Sequence, residues 1–369
     1  YVKKNYPAGK ADLFAVFMLV TQDRLAMNGK YGMINMQSWM FLSSYEKLRK
    51  SLLDNLQIES MLHLGPHTFD ELSGEVVQNT AYIISKHYPN HAGTYFRLVE
   101  GKDCTSKEKM FLSGNNCYTN VFQKNFEKLP GYPIGYWVSE KMIEIFTNAK
   151  LKELLFCIQG IITGNTQKYI HFWFEVSDSD ILHNDSFIFS KKWIPYAKGG
   201  SFRKWYGNND NILLWENNGI SLVRNRSTNK DKYLKECLTW SLIGSGIFSA
   251  RYCPKGFLWD VSGSVGFAVN EYIKYILGFL CSKLSVRMLK ILNPTINTNV
   301  EDIENLPIKT EKVDELDKIV DTNISISKQD WDAHETSWDF EQNELLSVDE
   351  QTYTDNIHWM EEQHFRKTG

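Results

Sequence analysis

The first 85 residues alternate helical and strand-like segments, and this alternation constrains the fold more than any other feature of the chain. Apolar side chains recur at helical spacing between residues 11 and 27, and Asn28-Gly29 ends that segment. A second helix is predicted over 43–53, and three strands are predicted over 31–36, 58–64 and 76–85. Helices that alternate with strands in this way predict half of an α/β doubly wound domain.

The following residues are less regular and predict two further regions. Residues 101–152 are expected to form a helical connector, with helices over 117–129 and 139–148. From 153 to 310, short aromatic segments with frequent Gly and Asn predict a mixed α+β domain. This domain is expected to be mostly strand, with one long helix over 272–292.

Charge is distributed unevenly along the chain. Residues 311–369 contain 16 acidic and 5 basic side chains, which predicts an acidic tail, helical around 314–320 and from 341 onward. The tail carries −11, so the preceding residues carry +8 of a net charge of −3. Between 191 and 235, 10 basic residues stand against 3 acidic ones. A basic body suits an anionic partner, while a solvated charged face is the alternative for any single pair.

Composition excludes several classes of protein. Hydrophobic content of 43% and charged content of 23% are ordinary for a soluble globular protein. The six cysteines form no C-x-x-C pair and the nine histidines lack metal-ligand spacing, so neither a zinc site nor a disulfide framework is indicated. The sequence has no run of 18 apolar residues and no signal segment. We therefore expect a cytoplasmic protein without a metal and without membrane contact.

A basic and aromatic run over residues 193–208 points to nucleic acid. It interleaves Lys198, Arg203 and Lys204 with five aromatic rings, contains no acidic residue and has Gly199-Gly200 near its centre. Cations bind phosphates, flat rings stack on bases, and glycine lets a backbone approach a large ligand closely. An ordinary basic hairpin with its rings in a core fits the composition equally well.

Further residues join this set as candidate DNA contacts. The three cations of the run are expected to bind phosphates, although arginine can also bind guanine edges. Tyr206 either stacks on bases or packs in a core. Arg224 and Arg226 predict a second basic patch, and Arg251 predicts a weaker third one. The segment GIITGN at 160–165 is either a turn that approaches phosphate or a plain β-turn.

Several runs resemble known DNA methyltransferases. Segments 10–14, 29–39, 46–49, 58–65 and 76–85 resemble the second half of an amino-methylating DNA adenine methyltransferase. In enzymes of this class the catalytic domain precedes the target-recognition domain. Narrower resemblance to the PglX family, the large adenine-specific methyltransferases of BREX phage-defence systems, is carried by 160–166, 198–208 and 275–308. The resemblance covers nearly the whole chain.

This resemblance implies transfer of a methyl group from S-adenosylmethionine to N6 of an adenine that is flipped out of double-stranded DNA. Residues 1–100 would be the C-terminal part of a Rossmann-like catalytic domain and 153–310 the target-recognition domain, with 101–152 as connector and 311–369 as tail. Phe69 matches an aromatic ring that stacks on the flipped base in related enzymes, or it is a buried side chain at the end of the sheet. Other phage-defence proteins become candidate partners.

Two signatures of the resembled enzymes do not occur in this sequence. It has neither an Asn-Pro-Pro-Tyr motif nor a cofactor-binding glycine segment, and Asn293-Pro294 is expected to be a helix-ending turn. We therefore expect a piece of a longer polypeptide, which binds DNA but does not methylate by itself. Three alternatives remain: part of a bifunctional restriction–modification enzyme, a non-catalytic DNA-specificity module and an RNA-binding module.

Overall fold

The computed structural model describes residues 1–69, 77–86, 91–183, 191–244, 247–269, 272–311 and 313–343. The chain divides into two compact units. The first unit consists of Tyr1–Leu151, Arg287–Thr295 and Asn305–Lys309. The second unit consists of Lys152–Val286, Ile296–Glu304 and the residues from Thr310 onward. Each unit has its own hydrophobic core.

A five-stranded mixed sheet forms the centre of the first unit. Its strands are β1 (Lys30–Met36), β2 (Gln57–Gly65), β3 (Asn79–Ser85), β4 (Gly93–Arg97) and β5 (Cys117–Val121). They lie side by side in the order β1-β3-β2-β4-β5. Because β3 is antiparallel to both β1 and β2, and β2 is parallel to β4, strands β1, β2 and β4 run in the same direction. The three strands predicted within the first 85 residues are therefore present and adjacent.

The helices predicted in this region are present as well. The first unit contains α1 (Val2–Asn5), α2 (Leu13–Arg24), α3 (Glu46–Asn55), α4 (Cys104–Ser113) and α5 (Glu140–Ile145). Helix α3 connects β1 to the parallel strand β2, as a crossover between parallel strands requires. Its buried face is formed by Leu48, Leu52 and Leu53, which pack in one core with Tyr82 and Tyr95 of the sheet.

Residues 101–151 differ from the helical connector expected from the sequence, because they belong to the first unit. The segment predicted as a helix over 117–129 contains strand β5 and a 3-10 helix, Gln123–Lys128. Helix α4 ends at Gly114, whose φ of 68° lies in the left-handed region, and the chain then pairs with β4. Tyr118 and Val121 of β5 pack against the core, so burial of these side chains favours a strand here.

Two buried cations hold the loops of the first unit by binding backbone carbonyls. The guanidinium of Arg49 donates to the carbonyl oxygens of Trp39, Leu42 and Gly131 at 2.6–2.9 Å. The Lys107 ammonium donates to three carbonyl oxygens at 2.7–3.0 Å, those of Leu64, Leu98 and Gly101. Burial lowers the pKa of both groups. Lys107 thereby ties together the ends of the parallel strands β2 and β4.

The second unit contains two four-stranded sheets. One has the order β11-β10-β13-β6 and the other the order β12-β8-β9-β7. The strands are β6 (Leu155–Ile158), β7 (Ile170–Phe172), β8 (Trp193–Ala197), β9 (Asn211–Leu214), β10 (Cys237–Ser241), β11 (Ala250–Cys253), β12 (Leu258–Trp259) and β13 (Gly263–Ala268). A single aromatic-rich core includes residues of both sheets, among them Trp193, Trp215 and Trp259. The short aromatic segments predicted after residue 153 are therefore strands.

The long helix predicted over 272–292 is two helices, α7 (Ile273–Leu280) and α8 (Lys283–Leu292). The break falls at Cys281-Ser282. The Ser282 hydroxyl accepts from the Ser285 backbone N–H at 3.2 Å, and the Ser285 hydroxyl donates to the Leu280 carbonyl at 2.7 Å. These bonds satisfy groups that a continuous helix would have used. Apolar spacing continues across the break, so the sequence pattern alone predicts one helix.

The remaining helices are α6 (Thr166–Tyr169), α9 (Val300–Glu304) and α10 (Val313–Asp332). Helix α10 starts the acidic region, yet it packs against α7: a Cβ placed on Gly278 would lie 2.9 Å from Val320, and Lys274 binds Asp321 at 2.7 Å. The first part of the expected tail is therefore an ordered element of the second unit. Residues 341–343 are not helical, and the rest of the predicted tail helix lies outside the described residues. None of the described helices combines the length and the hydropathy that a membrane span requires.

Candidate nucleic-acid interface

Asp260 organises the region in which the predicted DNA-contacting segments meet. Its carboxylate accepts from the Tyr196 hydroxyl at 2.9 Å and from both the backbone N–H, at 2.7 Å, and the hydroxyl of Ser262. Its backbone N–H donates to the Ala197 carbonyl at 2.9 Å. The neighbouring residues 259 and 261 exchange backbone hydrogen bonds with Ile161. One buried aspartate thus joins the GIITGN segment to the start of the basic loop, residues 198–208.

The glycines of these segments allow backbone-to-backbone contact inside the protein. A Cβ placed on Gly160 would lie 2.1 Å from the Asp260 carbonyl oxygen, and one on Gly199 would lie 2.3 Å from that of Ser262. A Cβ placed on Gly200 would lie 2.8 Å from the Asn208 side chain. The sequence suggests that Gly199-Gly200 lets the backbone approach a ligand. In the structure the close approach is to neighbouring segments of the same unit.

Two of the three cations of the basic loop are engaged within the second unit. Arg203 forms an ion pair with Asp330 at 3.0 Å and stacks on the Trp331 ring, 4.7 Å from its centroid. The Lys204 ammonium donates at 3.0 Å to the carbonyl of Cys281, the residue that caps the C-terminus of α7. A cation at that position offsets the partial negative charge of the helix end. Among the described residues, the Lys198 ammonium has no partner.

Two of the three aromatic residues of the loop, Trp205 and Tyr206, are also tied to the rest of the second unit. Tyr206 is buried, and the Lys328 ammonium lies 5.5 Å from its ring centroid. Burial raises the pKa of Tyr206. Trp205 has a φ of 71°, which is unusual for a bulky residue, and two backbone hydrogen bonds to β11 hold it there. Burial of Tyr206 favours the core interpretation for that ring, whereas Trp205 is only partly buried and is fixed through its backbone.

The second predicted patch, Arg224 and Arg226, has a different environment. Both guanidinium groups donate to the Gly160 carbonyl, Arg224 through Nη2 at 3.0 Å and Arg226 through Nε at 3.3 Å. Ile162 and Arg224 exchange backbone hydrogen bonds at 2.9 and 3.0 Å, so the arginines and the GIITGN segment form one site. Within the described chain no carboxylate lies within ion-pair distance of either guanidinium. Desolvation, and then the charge of Arg224, lower the pKa of Arg226.

The two arginines therefore form a partly exposed cationic site that no described carboxylate neutralises, and we call this site the arginine pair. The sequence predicts that they share one strand, but Arg226 has a φ of 60° and precedes a 3-10 helix, Ser227–Lys232. What brings them together is the shared Gly160 carbonyl. Two like charges held at one acceptor favour binding of an anion, since an anion removes their mutual repulsion.

Arg251, the third predicted patch, is not on the surface. It is fully buried on β11, and in the described structure its three guanidinium nitrogens have no hydrogen-bond acceptor. Burial lowers its pKa to about 10. A phosphate cannot reach a side chain in this position, so Arg251 leaves the set of candidate contacts. The sequence alone does not show this, because a single arginine on a strand fits either face.

Phe69 lies in the loop after β2, at the end of the sheet where the parallel strands β1, β2 and β4 terminate. Its side chain is 44% exposed, so it is not the buried residue of the alternative interpretation. The loop is held by two hydrogen bonds of Thr68: its hydroxyl donates to the Gly65 carbonyl at 2.9 Å, and its carbonyl accepts from the Cys104 thiol at 3.2 Å. Ligands of α/β sheets bind outside this edge.

The same edge contains a hydrogen-bond chain around the buried His63, which the sequence does not predict. His63 Nδ1 lies 2.9 Å from the Tyr136 hydroxyl and Nε2 lies 2.7 Å from Gln37 Oε1, while Gln37 Nε2 donates to Gln78 Oε1 at 2.5 Å. Burial, with the charges of Arg97 and Lys107, lowers the pKa of His63 to about 3. The imidazole is therefore neutral. A single histidine in a strand of alternating apolar and polar residues does not indicate from the sequence that it takes part in such a hydrogen-bond chain.

Comparisons with known proteins add to this geometry. The model of the Eco57I restriction-modification methylase family matches residues 1–69. The chain is 38% identical to the adenine-specific methyltransferase PglX of Lacticaseibacillus casei (strain Zhang) and 41% identical to the adenine-specific methyltransferase BrxX of Escherichia coli O9:H4 (strain HS), over 94% of its own length in both cases. The resemblance to this methyltransferase family is confirmed. The chain spans 31% and 29% of the length of these two relatives.

Solved structures of restriction-modification enzymes share the fold. The Type IIL enzyme MmeI in complex with DNA superimposes with a TM-score of 0.54 at 11% identity, covering 91% of this chain and 48% of that one. The Type ISP enzyme LlaGI, as a nuclease-deletion mutant with a DNA substrate mimic, gives a TM-score of 0.51 at 12% identity, covering 85% of this chain and 31% of that one.

In the described residues, no group of three or more His, Cys, Asp or Glu could hold a metal ion.

Proposed function

We propose that this chain is the C-terminal part of a site-specific DNA adenine-N6 methyltransferase that acts in phage defence by marking host DNA. It would supply the end of the catalytic domain and the target-recognition domain. The observation that carries the proposal is 38% and 41% identity to two adenine-specific methyltransferases over 94% of the chain. S-adenosylmethionine would donate the methyl group, and we assign no described residue to its binding.

The arginine pair and Lys198 are the proposed contacts to DNA phosphates. Arg224 and Arg226 are partly exposed and lack a carboxylate partner within the described chain, and Lys198 lacks any partner there. Cations without an internal counter-charge retain the charge needed to displace counterions from a duplex. Gly199, Gly200 and Tyr206 would shape the loop beside them, and Arg203 and Lys204 would hold its position. Phe69 is proposed to stack on the flipped adenine.

Duplex binding by this chain tests the proposal directly. We expect a 30-base-pair duplex to bind with an affinity that falls steeply as salt rises, measured by fluorescence anisotropy. Replacing both Arg224 and Arg226 by alanine should lower the slope of log affinity against log salt by about 1.8, because each phosphate contact contributes about 0.9. Arg24→Ala, an exposed arginine of the first unit, is the matched control and should leave the slope unchanged. A flat salt response in the unaltered chain would contradict the proposal.

Three alternatives make different predictions. A bifunctional restriction–modification enzyme would also cut unmethylated DNA when the complete polypeptide is assayed. A non-catalytic specificity module would bind duplex DNA and transfer no methyl group from labelled S-adenosylmethionine, even in the complete polypeptide. Single-stranded RNA that competes equally with duplex DNA at the same salt would instead favour an RNA-binding module.

A further inference from the structure

Three exposed isoleucines lie at the end of the β10–β11 hairpin of the second unit, and we call them the isoleucine cluster: Ile243, Ile247 and Ile296. Their side chains are 63%, 59% and 66% exposed. Ile243 forms a β-bridge with Asn297, and the Gly244 backbone N–H donates to the Ile296 carbonyl at 3.0 Å. Ile247 lies on the returning segment of the same hairpin, which joins two antiparallel strands. Apolar side chains of three segments thus meet solvent at one place.

The cluster projects from the unit, while the backbone beneath it is fixed. A Cβ placed on Gly244 would meet no described atom within 4 Å. At the base of the hairpin, the Leu242 N–H donates to the Ser262 carbonyl and the Thr298 N–H donates to the Leu242 carbonyl, both at 2.8 Å. Because β-branched side chains have few rotamers, the cluster is a stiff apolar projection that loses little conformational entropy on binding.

Hydrogen bonds connect this hairpin to the basic loop. The Ser241 hydroxyl accepts from the Gly200 N–H and donates to the Gly200 carbonyl, both at 3.1 Å. Ser262, which holds the base of the hairpin, also accepts from the Gly199 N–H at 3.3 Å through its hydroxyl. Lys198 directly precedes Gly199, and its ammonium has no partner among the described residues. An available cation and the isoleucine cluster therefore lie on adjoining segments.

The charge beside the cluster decides which partner it fits. A second copy of this chain would bring like charges together at this surface, which opposes association. A duplex has phosphates for Lys198 and one apolar target for the isoleucines, the stacked faces of its base pairs. Proteins that bind the minor groove frequently insert apolar side chains such as isoleucine between base pairs, which unstacks the bases and bends the duplex.

We propose that the isoleucine cluster inserts between adjacent base pairs of duplex DNA from the minor groove and bends it. The inference rests on the proposed DNA-binding function and adds a mode of recognition that needs no hydrogen bond to a base edge. Unstacking costs least at flexible pyrimidine–purine steps such as TA, and A-tracts are stiff. The chain should therefore prefer duplexes that contain TA steps, because it senses how easily the duplex deforms.

Energy transfer between dyes at the two ends of short duplexes measures the bend. One duplex contains TA steps and the other an A-tract, and we expect the 369-residue chain to bend the first and bind it more tightly. The double variant Ile243→Ser with Ile296→Ser should abolish the bend and weaken binding about tenfold, as loss of one buried isoleucine implies. The slope of log affinity against log salt should not change, because no cation is removed. Leucine at both positions should preserve the bend, since leucine also serves as a wedge.

Ile326→Ser is the matched control, because Ile326 is 61% exposed on α10 and its loss should leave bend and affinity unchanged. The inference is overturned if the duplex binds without bending, or if the double serine variant bends it as the unaltered chain does. A dimer in sedimentation that the double serine variant dissolves would assign the cluster to a second copy and also overturn it. Duplex binding that depends on salt and on the arginine pair, without a bend, contradicts this inference alone. A chain that binds no duplex contradicts the proposed function as well.

Discussion

The basic loop and the arginine pair are both groups of closely spaced cations, but their structural environments differ. Both contain closely spaced cations next to a glycine-containing segment. In the loop, Arg203 binds Asp330 and Lys204 binds the end of α7. At the pair, Arg224 and Arg226 share one carbonyl and face no carboxylate within the described chain. Arg203 and Lys204, on which the nucleic-acid prediction mainly rests, are thus bound within the protein. The arginine pair, which gives a weaker sequence signal, has no described carboxylate partner.

This difference teaches that clustering of cations does not reveal their partners. Asp330 lies 127 residues from Arg203 and Cys281 lies 77 residues from Lys204, so neither partner is visible in a local pattern. The partner of Arg203 belongs to the acidic region that the sequence assigns to a tail. An ion pair between a basic loop and an acidic segment of the same chain removes charge that a local count would offer to DNA.

Loss of Trp331 should give the largest effect, because this ring supports the committed loop. The side chain is 5% exposed, lies under the Arg203 guanidinium and would be 3.0 Å from a Cβ placed on Gly207. Truncation of a buried tryptophan costs about 3–5 kcal/mol. We expect Trp331→Ala to lower the unfolding free energy of the second unit by that amount in urea denaturation. Ile326→Ala, 61% exposed on the same helix, should change it little, and an equal loss in both variants would contradict the comparison.

The next largest effect is expected in the pH dependence of the stability of the first unit. It comes from His63, a buried group whose hydrogen-bond partners also lie within the protein. The pKa of His63 is about 3 in the fold and 6.5 when unfolded, so the unfolded chain binds an extra proton between these values. Stability is therefore lost as pH falls below about 6.5. Between pH 7 and pH 4.5 this amounts to about 2.5 kcal/mol. Comparing urea denaturation of His63→Gln with the unaltered chain at both pH values isolates this contribution, and identical pH dependence would exclude it.

Part of this organisation follows from the sequence. Strands β1, β2 and β3 and helices α2 and α3 are predicted from their apolar spacing. In α2 this spacing locates the helix but not its buried side, because Leu13 and Phe17 are 62% and 63% exposed. Strand β5 is missed, since pairing with β4 and burial of Tyr118 decide its conformation. Asp260 is missed as well, although an aspartate before Ser262-Gly263 is a turn signal that could have indicated it. Contacts over long sequence separation, such as Arg203 with Asp330, give no local pattern.

Substitution of Lys204 should give a smaller effect and tests the cations of the basic loop that are bound within the protein. Its ammonium binds the Cys281 carbonyl at the C-terminus of α7, where a cation contributes about 1 kcal/mol. Lys204→Met keeps most of the side-chain volume and should reduce the unfolding free energy of the second unit by that amount. The slope of log DNA affinity against log salt should remain unchanged, because the charge is already used inside the protein. A drop in that slope without loss of stability would move Lys204 to the DNA-contacting set.

Lys198 provides the finest distinction, because it belongs to the loop by sequence and to the uncommitted cations by environment. Among the described residues its ammonium has no partner, and its neighbour Gly199 is fixed to Ser262 by a 3.3 Å hydrogen bond from its backbone N–H. The backbone is therefore held while the side chain is free to reach a phosphate. We expect Lys198→Ala to lower the salt slope of duplex binding by about 0.9 with no change in unfolding free energy. If the slope is unchanged, the loop has no role in charge contact, and the arginine pair alone carries it.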